Sequence, residues 1–221
     1  MRLLALETAT RRLSIALWLD GHVQERELDS TTGGSEWLLP TARGLLADAG
    51  LALADLDGLA FGRGPGAFTG LRLAAACVQG LAFGLDLPVI GVSSLEAMAE
   101  TSGESKVYAC LDARMHEVYV AAYSDGVEVM APTVVAPAMA PVPPGANWVG
   151  CGDAFAVYPD DLPRFERTRP SLLPSAVGVA RLAAARWSTA SRLSAGDALP
   201  LYVRNRVALT TAERMARGGV R

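Results

Sequence analysis

Asp20-Gly21 stands between two runs of alternating hydrophobicity, and this juxtaposition constrains the start of the chain more than any other feature. Leu13, Ile15, Leu17 and Leu19 alternate with Ser14, Ala16 and Trp18, the pattern of a strand with one buried face. An Asp-Gly pair readily takes the left-handed positions of a two-residue hairpin. Val23 to Leu28 are therefore expected to return antiparallel as a more polar edge strand. Leu3-Leu4-Ala5-Leu6 reads as a short buried strand that leaves into the polar turn Thr8-Ala9-Thr10. The chain opens with a three-stranded meander.

Helical and strand signals then alternate. A helix is predicted from about Glu36 to Ala49, capped by Ser35 and stopped by Gly50. Leu59 to Gly62 is a short strand running into Gly64-Pro65-Gly66-Ala67-Phe68-Thr69-Gly70. A second helix covers about Leu71 to Gly84, Pro88 to Val92 form a strand, and a third helix opens at Ser93 or Ser94 and runs to about Glu100. This order is that of a ribonuclease-H-like mixed sheet. The polar stretch Thr101 to Ser105 marks a domain boundary, dividing the chain into 1–102 and 103–221. The second part carries a hairpin (Lys106 to Leu111, Glu117 to Tyr123), a strand at Val127 to Val135 and a Pro-rich stretch to Pro144. A short strand at Trp148-Val149-Gly150 and a helix from about Ser175 to Ser188 follow. The expectation is an α/β fold of two lobes, the second a degenerate copy of the first, with the tail a candidate to pack back on the first lobe.

Composition narrows the function classes. With 51% hydrophobic and 19% charged residues among 221, the chain is neither disordered nor low-complexity. A net charge of −3 excludes a general nucleic-acid binder, and the Arg-rich tail reads as a solvated face. Cys77, Cys110 and Cys151 are odd in number and lie in apolar segments, as free thiols in a reducing compartment do. Apolar runs are broken before about 18 residues accumulate, so the reading is a cytoplasmic protein with no membrane partner. The two histidines, His22 and His116, have no His or Cys at metal-ligand spacing, and no nucleophile-elbow motif accompanies them.

Projected at about 100° per residue, the first helix places Leu38, Leu39, Ala42, Leu45, Leu46 and Ala49 on a core stripe. Trp37, Thr41, Gly44 and Asp48 share the other face. The second helix divides into Leu71, Leu73, Ala74, Cys77, Val78 and Leu81 against Arg72, Ala75, Ala76, Gln79, Gly80 and Phe83. That second arc is too poor in charge for an ordinary wet face, so either the rest of the chain or another subunit covers it. The loop Gly64 to Gly70 lies between strand and helix, where backbone N–H groups can receive an anion or simply make a tight turn. It is neither a P-loop nor a dinucleotide fingerprint. The candidate carboxylates are Glu7 at a strand end, with Thr8 and Thr10 beside it, and Asp112 and Glu117 in the hairpin; a Mg²⁺ site at Glu7 lacks a second acid.

Taken in order, these motifs resemble one family. They are Leu4 to Thr10, Ser35 to Pro40, Phe61 to Arg72 with its Gly-Pro-Gly-Ala-Phe-Thr-Gly core, Gln79 to Ala82, Pro88 to Leu95, Asp112-Ala113-Arg114-Met115, and Pro200 to Arg204. The chain resembles the bacterial TsaB (YeaZ) family, most densely over 1–123. The resemblance implies an actin-like ATPase fold and a non-catalytic scaffold subunit. Its catalytic partner, TsaD, transfers threonylcarbamoyl to the tRNA adenosine next to the anticodon, and an ATPase, TsaE, joins the complex. It also implies dimerisation through the two first-lobe helices, with TsaD or a second copy, no cofactor of its own, a nucleotide only at a joint interface, and tRNA met indirectly. Gly34 stands where many relatives have His, and the paired histidines of the catalytic paralogue are absent. Two alternatives stay open: an ATP-dependent phosphotransferase using Glu7 and the Gly64–Gly70 loop, and a metallopeptidase.

Overall fold

The computed structural model describes residues 1–29 and 34–204. The first sheet contains β1 (Arg2–Glu7), β2 (Arg12–Leu19), β3 (His22–Asp29), β4 (Gly58–Gly62) and β5 (Val89–Val92), in the order β3-β2-β1-β4-β5. β1 to β3 form the antiparallel meander, closed at Leu19↔His22 with Asp20 and Gly21 at positive φ, while β4 and β5 add in parallel. Helix α1 (Ser35–Asp48) lies over β2 and β3, and α2 (Phe68–Leu85) over β4. α2 begins three residues before the expected Leu71, and Ser35 lies inside α1, with Gly34 in the capping position.

The second half repeats the plan strand for strand. β6 (Lys106–Arg114) pairs antiparallel with β7 (Glu117–Ser124) and parallel with β9 (Val149–Cys151). β8 (Val127–Val135) closes one edge and β10 (Arg167–Arg169) the other. β10 and the short α4 (Ala154–Val157) carry no periodic signal in the sequence, since all three β10 residues are exposed.

The helices between the sheets exchange partners. α3 (Ser94–Ser102) presses Leu95, Met98 and Ala99 onto the second sheet, against Val107, Ala109 and Leu111. α5 (Ala176–Ala185), from the far end of the chain, presses Val179, Ala180 and Ala183 onto the first sheet, against Leu3, Ala5 and Ala60. A Cβ at Gly178 would lie 2.2 Å from the Ala97 carbonyl oxygen, so the two helices cross backbone to backbone. The start of α5 is capped by the first sheet: buried Ser14 Oγ accepts the Ala176 N–H at 2.7 Å and Glu25 accepts that of Val177.

After α5 the chain returns to the first lobe. Leu193 exchanges both backbone hydrogen bonds with Val89, Ala198 is fully buried beside α2, and the Leu201 N–H donates to the Arg63 carbonyl at 2.6 Å. α2 is the one described helix long and apolar enough to cross a membrane by length and composition, a length the sequence expectation had placed out of reach. Here Leu71, Ala74, Ala75, Val78 and Ala82 bury against the first sheet.

Gly178→Val should destabilise the fold by about 2–4 kcal/mol, because the new side chain meets backbone that cannot yield. Gly80→Ala, at a helical position with nothing within 4 Å of the added carbon, should stabilise by about 0.5–1 kcal/mol. Urea unfolding of both variants checks the pair; a Gly178→Val protein as stable as the parent would contradict the crossing.

Candidate functional site

Glu7 is fully buried at the end of β1, and its carboxylate is closed on every side. Oε1 accepts the Ala9 N–H at 2.7 Å and Oε2 accepts the Ser94 hydroxyl at 2.8 Å. Burial pushes its pKa up, and the hydrogen bonds from Ala9 and Ser94 only partly oppose this. The glycines of the following loop are explained by what lies on them. A Cβ at Gly62 would sit 1.9 Å from Glu7 Oε2, and one at Gly70 would sit 1.9 Å from the Thr8 carbonyl oxygen. Thr8 Oγ1 donates to the Gly70 carbonyl and the Ala67 N–H donates to Ala9, each at 2.7 Å. The turn after β1 therefore packs directly on the loop, and each Glu7 oxygen accepts a hydrogen bond from the protein itself.

A cavity of about 270 Å³ opens beside this corner, between the lobes. Thr10, Pro65, Gly66 and Phe68 line it from the first lobe, Asp112, Arg114 and Tyr119 from the second, and Leu201 to Arg204 from the tail. Glu7, Thr8, Gly64, Thr69 and Gly70 stay off its wall. The Asp112 side chain is 5% exposed; its Oδ1 accepts the Arg114 N–H at 2.8 Å and the Tyr158 hydroxyl at 3.2 Å. Arg114, Met115 and His116 take φ of 61°, 57° and 58°, three successive left-handed residues without a glycine. Such backbone costs about 1–3 kcal/mol per residue and persists only where neighbours hold it. The Arg204 guanidinium does so, donating to the Ala113 carbonyl at 3.0 Å and pairing with Glu117. Asp153, missed in the sequence, accepts the Asp112 N–H at 3.0 Å and also lines the cavity; burial raises its pKa. It follows β9 as the glycine loop follows β4, a correspondence that the topology reveals and the residues do not. Among the described residues no group of three or more His, Cys, Asp or Glu is placed to hold a metal ion.

The two helices differ from their projections. On α2, Arg72, Ala76, Gly80 and Phe83 form an exposed stripe, with Phe83 86% exposed. Ala75, expected on that stripe, is buried, and the Gln79 amide donates to the Ala198 carbonyl at 3.3 Å, because the chain's own tail covers this side. On α1, Trp37 packs against the core while Leu39, expected inside, is 43% exposed. Trp37, Thr41, Gly44 and Asp48 border a shallow groove with Arg26 and Glu27 of β3, and Arg26 pairs with Asp48. Since α1 lies over β3 and α2 over β4, that face is turned away from α2, and it does not join the α2 stripe. Gly34 has φ 126°, and a Cβ there would meet Leu13 Cδ1 at 2.2 Å, so a His would strain this backbone and require Leu13 to shift.

Two five-stranded mixed sheets of the same connectivity, with a helix pair between them and a cleft at their junction, define an actin-like, ribonuclease-H-like protein. The family model for TsaD, described as tRNA N6-adenosine threonylcarbamoyltransferase, matches residues 32–142. The tRNA threonylcarbamoyladenosine biosynthesis protein TsaB of Escherichia coli K12 is 36% identical, over 94% of this chain and 96% of its own length. TsaB of Haemophilus influenzae is 35% identical, over 94% and 95%. The solved structure of YeaZ from Pseudomonas aeruginosa superposes with a TM-score of 0.86 at 40% identity, over 91% of this chain and 99% of that one. The chain belongs to the TsaB (YeaZ) family.

Because the folded state raises the Glu7 pKa, the native protein binds this proton more tightly than the unfolded chain does. Stability contributed at Glu7 should therefore fall as pH rises from the ordinary value of 4.5 through the raised one. Glu7→Gln should lack this component and overtake the parent as pH increases, whereas Glu7→Ala should lose about 2–4 kcal/mol by orphaning two buried donors and leaving a cavity. Denaturant melts across pH measure both, and a pH-independent difference between parent and Glu7→Gln would contradict the buried, uncompensated carboxylate.

Proposed function

We propose that this chain acts in tRNA threonylcarbamoyladenosine biosynthesis as a non-catalytic binding subunit that grips a TsaD-type catalytic partner through the outer face of α2. The observation that carries this is the exposed stripe of Arg72, Ala76, Gly80 and Phe83 on a helix whose other side is core. Small residues at its centre permit close helix approach, and the Arg and aromatic at its ends are residue types found at interface anchors. The match of residues 32–142 to the TsaD model supports a partner of similar fold, against which α2 would meet an equivalent helix. The same stripe also suits a second copy when the chain is alone. Two α2 helices running antiparallel would bring Ala76 of each near Gly80 of the other and Arg72 towards Asp86, the exposed residue that ends the helix.

Several features support a role without chemistry of its own. Glu7 is engaged in structural hydrogen bonds, and the glycines of the loop pack on residues 7–9. A nucleotide, if the complex uses one, belongs at a face shared with a partner; a TsaE-type ATPase joins the assembly, and tRNA is met through TsaD. The chain then acts in the cytoplasm, where its three free cysteines fit a reducing milieu. No observation favours the phosphotransferase or metallopeptidase readings.

Co-purification with the TsaD-type protein, followed by a size measurement, tests the proposal. Ala76→Arg, which adds a long cation at the centre of the stripe without touching the core, should weaken the complex about 100-fold or more. Trp37→Ala, on the face turned towards β3, should leave it intact. Undiminished binding by Ala76→Arg would refute the placement.

A further inference from the structure

The segment Ala198 to Arg204 touches, in order, α2, the loop after β4, the cleft and the β6–β7 turn. The Ala198 carbonyl accepts the Gln79 amide, and the Leu201 N–H donates to the Arg63 carbonyl. The Tyr202 hydroxyl accepts the Arg72 Nε–H at 3.2 Å, and its ring stands 6.0 Å from that of Phe68. The Arg72 guanidinium in turn lies 3.7 Å over the Phe68 ring. Two residues on, Arg204 holds the Ala113 carbonyl and the Glu117 carboxylate and reaches Met115 Sδ at 3.8 Å. One end of this segment is thus fastened to the exposed α2 stripe and the other to a turn whose left-handed backbone depends on being held.

We infer that residues 198–204 form a strap that couples the α2 face to the β6–β7 turn across the cleft. This deepens the partner face proposed above and rests on that reading. Arg72 is the transmitting group: it belongs to the stripe a partner would cover, and it already serves both Phe68 and Tyr202. A partner that engages Arg72 acts on Tyr202 at the same moment. The two-residue spacing from Tyr202 to Arg204 spans at most about 7 Å of extended chain, too short to absorb a shift without moving the Arg204 clamp. By reciprocity, loosening the clamp must change the affinity of the α2 face.

Amide hydrogen exchange on the full chain, alone and with the TsaD-type protein, tests the strap. In the parent, binding should slow exchange in α2 and also, about fivefold or more, at residues 112–117 across the cleft. Tyr202→Phe keeps the ring on Phe68 but removes the acceptor for Arg72. It should still bind, yet lose the response at 112–117. Arg204→Ala should speed exchange at residues 68–72 about tenfold in the free protein, although it lies on the opposite lobe. If Arg204→Ala fails to fold, Glu117→Gln loosens the same clamp more gently and should act in the same direction. Protection confined to α2 in the parent, or a full distal response in Tyr202→Phe, overturns the strap while leaving the partner face standing. If the parent binds no partner, the partner face fails, and the strap stands or falls on the free-protein arm: unchanged exchange at 68–72 in the clamp variants overturns it.

Discussion

The backbone crossing of α3 and α5 at Ala97 and Gly178 is the contact on which the arrangement of the lobes depends. Each helix is covalently continuous with one half of the chain and buried on the sheet of the other. The inner face of the first sheet stays bare until α5 is made, and that of the second is covered by α3 from the first half, so neither lobe completes its core from its own half of the chain. The side-chain caps that Ser14 and Glu25 give to α5, and the ion pair between Arg186 and Glu96, fix where the helices sit along one another. A cleft between lobes held in this way has a set width, and the tail then lies along its rim.

The corner around Glu7 has the shape of a reactive site and the bonding of a structural joint. A strand-end carboxylate, a glycine loop and a helix N-terminus meet there. Yet the carboxylate is spent on Ala9 and Ser94, and the glycines accommodate the backbone of residues 7 to 9. The free valence of the molecule lies outside, on a helix that is core on one side and bare on the other.

The local parts of this fold were legible in the residues. Asp20-Gly21 placed the first hairpin, and the strand–glycine loop–helix order placed β4 and α2. What required the third dimension was which neighbour lies beside each helix face. A helical projection separates two arcs of α2 without saying that the tail returns to cover Ala75 and Gln79. It likewise cannot tell that the Trp37 side of α1 borders β3. The exchange of α3 and α5 left no local trace, because a small apolar helix reads the same on either sheet. Asp153 was hidden for a related reason: the second lobe repeats the topology of the first with none of its sequence, so its equivalent position carried no motif.

The most direct measurement of the central claim is a map of which surface a TsaD-type partner covers, obtained by hydroxyl-radical footprinting of the full-length pair. The account predicts protection that clusters around α2, Phe83 above all, and residues 192–202, with Trp37 and residues 65–67 of the cleft wall labelled as in the free chain. Protection concentrated at the cleft wall, at residues 65–67 and 112–114, with the outer face of α2 labelled as before, would contradict it.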